Sequence, residues 1–185
     1  MFKQMGFCFN ADDCIGCSAC EIACKNENQT PSGINWRTVK KVSPELFLSV
    51  SCNHCDNPEC FRVCPHRAFT KRRDGIVEIN QNLCDGCQLC VAACPYHAPK
   101  FDPESHKVSK CQMCYPRQDT GHLPACVEAC TTNALKLVNL GEFNNPNIVR
   151  SLPGFPDISI TSPSIVFFGQ KTRKRYFLSQ GRLKT

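Results

Sequence analysis

Apolar residues in this sequence recur in short stretches, and their spacing predicts short helices and strands. Three stretches, SACEIACK (18–25), QLCVAACP (88–95) and LPACVEAC (123–130), place small and apolar residues at helical spacing. Strands are predicted at GFCFN, ELFLSV, AFTKRRDGIVEIN and ALKLVNL. Asp74-Gly75 in the third favours a tight hairpin, and a second hairpin is expected to join PKF to KVS. Residues 142–157 are expected to form a loop with one helical turn.

The length of these stretches limits the fold. The chain has 185 residues, enough for one domain or two very small ones. Its longest nearly apolar stretch, residues 165–169, is far shorter than the roughly 20 residues that cross a bilayer. No transmembrane segment is therefore expected, and any work at a membrane would go through a partner.

Cysteine is the residue that changes this picture most. The chain has 17 cysteines, and all but Cys8 fall into four groups of four, each a loop that is expected to enter a helix. We call them groups one to four: Cys14, Cys17, Cys20, Cys24; Cys52, Cys55, Cys60, Cys64; Cys84, Cys87, Cys90, Cys94; and Cys111, Cys114, Cys126, Cys130. The odd total and the close CxxC spacing fit disulfides badly and favour metal. Cys8 is expected to be a small buried residue of a strand.

The net charge of +6 lies entirely in the tail. Residues 1–157 are balanced, whereas the chain after Asp157 has six basic residues and no acidic one. A zinc-stabilised nucleic-acid-binding module using this tail is an alternative, but the balanced body counts against it. We therefore expect no nucleic-acid partner.

Group three has the spacing C-x2-C-x2-C-x3-C-P and resembles the cluster-binding run of bacterial [4Fe-4S] ferredoxins. Three thiolates at intervals of three residues can wrap one cluster, and Gly16 and Gly86 permit the tight loop that this needs. The fourth thiolate lies a helical turn further on and points away, so the groups are expected to work in pairs. Zinc is the alternative ligand, but three cysteines on one loop in groups one and three favour iron–sulfur.

The order of the groups, with CNHCDNPECFRVCP, CDGCQLCVAACPYHAP and SKCQMCYPRQDTGHLPACVEAC, resembles the four-cluster electron-transfer subunit of the dimethyl sulfoxide reductase family of molybdopterin oxidoreductases, as in dimethyl sulfoxide, polysulfide and thiosulfate reductases. The resemblance covers about residues 5–140. It implies four [4Fe-4S] clusters with crossed ligation. The implied ligand sets are Cys14, Cys17, Cys20 and Cys130; Cys24, Cys111, Cys114 and Cys126; Cys52, Cys55, Cys60 and Cys94; and Cys64, Cys84, Cys87 and Cys90.

The same resemblance implies an α+β fold made of two interleaved bacterial-ferredoxin-like dicluster units with short strands and helices, plus a C-terminal extension. Within a domain of residues 1–140, one unit would comprise 1–50 and 105–140, and the other 51–104. Residues 141–185 would form a docking extension. In it, residues 158–185 are expected to be an arm with an exposed apolar strand, removable without loss of the clusters.

The function that the resemblance implies is electron relay in anaerobic respiration, between a molybdopterin catalytic subunit and an integral membrane quinone-reactive subunit. The chain would be a redox subunit with no catalytic site of its own. It would be membrane-associated through its partner, on the extracytoplasmic face after co-export, with the cytoplasmic face as the other possibility. The alternative is a polyferredoxin subunit of a cytoplasmic hydrogenase or formate dehydrogenase complex. Tyr96 and Tyr115 are expected to shield sulfur from water, and His54 and His66 to lie at the surface or behind the ligands.

Overall fold

A computed structural model describes residues 3–44 and 46–169. Short helices and strands alternate along the chain. In chain order they are β1 (Met5–Asn10), α1 (Ala19–Asn28), β2 (Thr38–Ser43), β3 (Leu46–Val50), α2 (Glu59–Arg62), β4 (Phe69–Lys71), β5 (Val77–Ile79), α3 (Leu89–Ala93), β6 (Lys100–Asp102), β7 (Lys107–Ser109), α4 (Tyr115–Asp119), α5 (Ala125–Glu128), β8 (Leu135–Asn139), β9 (Ile148–Val149) and β10 (Ile165–Phe168).

The largest sheet has four strands in the order β8-β1-β10-β9. Strand β1 pairs antiparallel with β8 and parallel with β10, so that Cys8 lies opposite Lys136 on one side and Val166 on the other. Residues 5–9 are all buried, so both faces of β1 are covered, which explains why this strand is an almost continuous apolar run. The side chain of Cys8 is buried, as expected.

Three two-stranded hairpins accompany this sheet, and they are β2–β3, β4–β5 and β6–β7. The hairpins predicted at Asp74-Gly75 and between PKF and KVS are confirmed. Gly75 has φ +83°, and the Asp74 carboxylate accepts a hydrogen bond from the Ile76 amide, so this turn uses both predicted residues. Strand β2 was not predicted, because it is exposed for most of its length and has no apolar alternation. Glu45, the first residue of the predicted ELFLSV strand, lies outside the described residues.

The helices are short, and α1, α2, α3 and α4 each follow a cysteine-bearing loop. The three predicted from the spacing of small and apolar residues are present as α1, α3 and α5. Helix α1 packs against α5, and α2 packs against α3. These contacts bring group one next to group four and group two next to group three.

The C-terminal part of the described chain differs from its prediction. Ile165, Val166 and Phe167 are at most 3% exposed, because β10 lies beside β1 in the core sheet. The expectation of an exposed apolar docking strand here is therefore wrong. Residues 142–157 hold turns and strand β9 instead of a helical turn. Residues 170–185 of the predicted arm lie outside the described residues.

Apolar packing is divided among three clusters of buried side chains. The largest joins the four-stranded sheet to α1 and β3, the second surrounds Phe69, Val77 and Val108, and the third includes Ala98. Each of the three clusters contains cysteines from at least two of the four groups. Within residues 3–44 and 46–169, no helix has the length and apolar character needed to cross a membrane.

Candidate metal centres

The group one loop wraps tightly before α1. Gly16 has φ +71°, and a Cβ atom at this position would lie 2.6 Å from the Phe47 ring of β3. Only glycine fits both the backbone angle and the close approach of the ring. Cys17 is exposed at the tip of the loop, whereas Cys20 is buried where the helix begins.

The group three loop repeats this arrangement before α3. Gly86 has φ +78°, and a Cβ atom there would lie 2.3 Å from the carbonyl oxygen of His106. The Asp85 carboxylate accepts a hydrogen bond from the Cys87 amide at 3.1 Å, and this bond holds the pKa of Asp85 below its usual value. Cys87 is exposed like Cys17, and Cys90 is buried. The two ferredoxin-type loops predicted from sequence therefore have the same local geometry.

The group two loop is held by the C-terminal segment of the described chain. The amides of Asp56 and Asn57 donate hydrogen bonds to the carbonyl oxygens of Ser162 and Thr161, at 2.9 and 3.1 Å. The hydroxyl group of Thr161 is also 2.7 Å from that of Tyr96. Residues 158–169 thus contact the body that carries the cysteines, and their removal is now expected to disturb the group two loop.

Group two is also supported by buried His54. Its ring is fully buried, and Nδ1 accepts a hydrogen bond from the Val77 amide at 3.1 Å. Burial, with the Lys110 ammonium group as the next cause, lowers the pKa of His54 well below its usual value. His54 therefore lies behind the ligands, whereas His66 lies at the surface near Asp85. Both locations agree with the expectation for these histidines.

The group four loop contains two consecutive residues with positive φ, Met113 and Cys114, directly before α4. The Met113 amide donates a hydrogen bond to Cys111 Sγ at 3.3 Å. Asn28, at the end of α1, places its side-chain amide 3.8 Å from Cys24 Sγ and 3.9 Å from Cys114 Sγ. A group one thiol and a group four thiol thus share one polar neighbour.

Electrostatic interactions between thiols show which cysteines lie near one another. Cys14 interacts with Cys17, Cys20 and Cys130; Cys24 with Cys20, Cys114 and Cys126; Cys60 with Cys52, Cys55 and Cys94; and Cys90 with Cys64, Cys84 and Cys87. Some interactions also join neighbouring sets, since Cys20 interacts with Cys126 and Cys111 with Cys52. In addition, Cys52, Cys55, Cys60 and Cys94 line one cavity.

Deprotonation of these crowded, buried thiols is unfavourable without a nearby cation. Burial, followed by the charge of nearby Cys126, raises the pKa of Cys24 to about 12, and burial with nearby Cys52 also raises the pKa of Cys55 to about 12. Cluster ligation requires thiolates, and in these surroundings bound iron would supply the positive charge that stabilises them. Among the described residues, no set of three or more His, Cys, Asp or Glu side chains is arranged for a single metal ion.

Two buried cations lie near the thiols, and neither was predicted from the sequence. Arg37 and Lys110 are each 2% exposed. Lys110 Nζ donates hydrogen bonds to the carbonyl oxygens of Val77 and Cys111. Nothing in the pattern around either residue distinguishes it from an exposed one, because Arg37 precedes an exposed strand and Lys110 follows a three-residue strand.

Tightly folded loops with buried thiols, set in a small body of mixed helices and small sheets, are typical of an iron–sulfur protein. In agreement, residues 44–140 match the family model described as a 4Fe-4S dicluster domain. The chain therefore binds [4Fe-4S] clusters, as predicted, and the zinc alternative is wrong.

Curated relatives define the family more narrowly. The chain is 34% identical over 181 residues to the B subunit of anaerobic dimethyl sulfoxide reductase from Haemophilus influenzae, covering 89% of this chain and 88% of the relative. It is 35% identical over 182 residues to the same subunit of Escherichia coli (strain K12), covering 90% and 89%. Protein NrfC of Escherichia coli (strain K12) is 42% identical over 154 residues, covering 77% and 69%. The chain thus belongs to the family of anaerobic dimethyl sulfoxide reductase B subunits, and it is an iron–sulfur electron-transfer subunit of this type of oxidoreductase complex.

Proposed function

We propose that the chain holds four [4Fe-4S] clusters, each ligated by three cysteines of one group and one cysteine of another. The observation that carries this proposal is the cavity lined by Cys52, Cys55, Cys60 and Cys94, since the last of these comes from group three. In the other three sets, cysteines of two groups lie near one another, since Cys14 interacts with Cys130, Cys24 with Cys126 and Cys90 with Cys64. The packing of α1 on α5 and of α2 on α3 supports the two interleaved units, residues 1–50 with 105–140 and residues 51–104.

The four sets would form a continuous relay. Cys20 interacts with Cys126, which joins the first set to the second, and Cys111 interacts with Cys52, which joins the second to the third. Helices α2 and α3 join the third to the fourth. When bound, the clusters supply one-electron redox chemistry. The residues of the chain hold them in sequence and limit the access of water to the inner thiols.

Each end of this relay has an exposed thiol beside exposed apolar side chains. Near Cys17, Ile15 is 63% exposed and Ile22 58%; near Cys87, Leu83 and Leu89 are each 50% exposed. Exposed apolar residues next to a redox centre suit a partner that covers the centre and excludes water. We infer that the Cys17 end meets a molybdopterin catalytic subunit and the Cys87 end an integral membrane quinone-reactive subunit in anaerobic respiration.

The similarity to dimethyl sulfoxide reductase subunits favours these partners over the hydrogenase or formate dehydrogenase alternative. In this proposal the chain is associated with the membrane through its partner, on the extracytoplasmic face. The docking extension comprises residues 141–185, and its basic part, residues 170–185, contributes to the attachment of the chain to its partners.

Charge substitutions at the two ends test the assignment. We expect Ile15→Asp to prevent co-purification of the molybdopterin subunit, and Leu89→Asp to prevent co-purification of the membrane subunit. Val42→Asp is the matched control, because Val42 is also exposed, at 40%, but lies on β2. Normal co-purification of both partners with both variants, at full iron content, would contradict the assignment of the two ends.

A further inference from the structure

Arg37 is buried without a carboxylate to balance its charge. It is 2% exposed, and the part of the chain that the structure describes places no acidic group within ion-pair distance of it. No Asp or Glu is buried within the described ranges. Burying a guanidinium group is unfavourable unless an anion or a set of acceptors compensates for the lost water. The burial of Arg37 therefore needs an explanation beyond packing.

Neutral neighbours hold the guanidinium group in one orientation. Arg37 Nη1 donates a hydrogen bond to Ser49 Oγ and Nη2 donates one to Ser51 Oγ, both at 2.9 Å. The guanidinium carbon also lies 4.6 Å from the centre of the Phe7 ring. Nε has no partner among the described residues. The two serines lie at and after the end of β3, so the hairpin fixes the position of the charge.

One of these hydrogen bonds leads directly to a cysteine. Ser49 Oγ is 3.4 Å from Cys20 Sγ. Because Ser49 Oγ accepts a hydrogen bond from Arg37, its own hydrogen is available to donate to the Cys20 sulfur. Hydrogen bonds to ligating sulfur and nearby positive charge both favour the more negative state of an iron–sulfur cluster.

The charge of Arg37 reaches cysteines of two different ligand sets. It interacts electrostatically with Cys20, which belongs to the set of Cys14, Cys17, Cys20 and Cys130. It also interacts with Cys24, Cys111 and Cys126 of the neighbouring set. The packing agrees, because the Phe7 ring that contacts Arg37 lies in one buried cluster with Cys20, Cys24 and Cys126.

We propose that Arg37 is a positioning residue and the shared counter-charge of these two cluster sites, which raises the reduction potential of both. The inference rests on the proposed function, because it needs both clusters in place. A [4Fe-4S] cluster with four thiolates becomes more negative by one charge when it is reduced. On reduction one electron enters the cluster from its donor, and no bond forms or breaks. A fixed cation nearby stabilises the reduced state more than the oxidised state.

Three variants of the full chain, purified without oxygen, test this role. Arg37→Gln removes the charge but keeps a hydrogen-bond donor, Arg37→Lys keeps the charge, and Lys40→Met removes an exposed charge from the adjoining strand β2. The readout is a redox titration followed by electron paramagnetic resonance. Dithionite is the reductant, and the signals of the two sites are identified by their loss in Cys17→Ser and Cys114→Ser.

In Arg37→Gln, half-reduction of both clusters should require at least a tenfold higher ratio of reductant to oxidant. For a one-electron couple, a tenfold change lowers the reduction potential by about 59 mV. The other two clusters should shift much less. Arg37→Lys should shift both signals by less than half as much, and Lys40→Met should leave all four unchanged, because solvent screens its charge.

Unchanged potentials in Arg37→Gln, an equal shift in all four clusters, or an equal shift in Arg37→Lys would each overturn the inference. If Arg37→Gln assembles fewer clusters, the loss should affect these two sites and be restored in Arg37→Lys; a loss that lysine does not restore also overturns it. Iron analysis distinguishes a failure of the proposed function from a failure of the role of Arg37. Fewer than four clusters in the unmodified chain would overturn the proposed function, whereas four clusters with unchanged potentials would overturn only the role of Arg37.

Discussion

Replacing Gly86 by alanine tests whether the ferredoxin-type loop depends on close backbone packing. Gly86 lies between Cys84 and Cys87, with φ +78°, and an added Cβ atom would lie 2.3 Å from the His106 carbonyl oxygen. Ordinary van der Waals contact begins at 3.4 Å, so the added atom is more than 1 Å too close. The carbonyl belongs to the backbone of the β6–β7 hairpin and cannot turn aside as a flexible side chain can.

The expected cost has two parts. A left-handed conformation costs a residue with a side chain roughly 1–2 kcal/mol, and an overpacked contact adds about 1–3 kcal/mol. The total of about 2–5 kcal/mol corresponds to a fall in Tm of about 4–20 °C for a protein of this size. Because the loop must move to relieve the contact, Gly86→Ala should also weaken the cluster held by Cys84, Cys87 and Cys90.

Gly33 provides a matched control. It has φ +77°, but an added Cβ atom would have nothing within 4 Å. Gly33→Ala therefore carries only the conformational cost of roughly 1–2 kcal/mol, a fall in Tm of about 2–8 °C, and no loss of iron. Thermal unfolding by circular dichroism without oxygen, with iron analysis, measures both effects. Equal falls in Tm for the two variants, at full iron content, would refute the reasoning.

Three further outcomes are expected. Anaerobic analysis should find about 16 iron and 16 acid-labile sulfide per chain, and Cys8→Ser should leave this content unchanged; about 12 iron would contradict it. Cys24→Ser and Cys111→Ser should abolish the same paramagnetic signal, and Cys17→Ser a different one, whereas a signal lost in both Cys17→Ser and Cys24→Ser would exclude crossed ligation. Deleting residues 170–185 should retain all clusters but weaken co-purification with the partners, so stoichiometric co-purification of the truncated chain would show that this segment is dispensable.

The chemistry of this protein could be predicted from its sequence because the signal is local. The spacing of group three and the glycines at positions 16 and 86 describe loops whose geometry depends on residues close in the chain. The same holds for the hairpin at Asp74-Gly75, where the turn residues determine the backbone conformation. Class, cofactor and family therefore followed from short segments.

Strand β10 shows where local reasoning was insufficient. Its apolar residues indicated a strand correctly, but an apolar strand can pair with a partner protein or with a distant strand of its own chain. In the structure, β10 pairs with a distant strand of its own chain. Its partner is β1, about 160 residues earlier in the sequence, with Phe7 opposite Ile165. Strand pairing depends on which edges are brought together by the rest of the fold, and sequence spacing does not contain this information.

Arg37 and Lys110 show the same limit for charge. By composition they are two of 22 basic residues, and the sequence drew attention to the six in the tail instead. Only the tertiary structure removes these two from water and places them beside cysteines from separate groups. The effect of a charge depends on its burial and on its distance from other charges. The sequence by itself therefore determined which atoms would bind the clusters. The packing of the hairpins against the loops decided which charges surround those atoms.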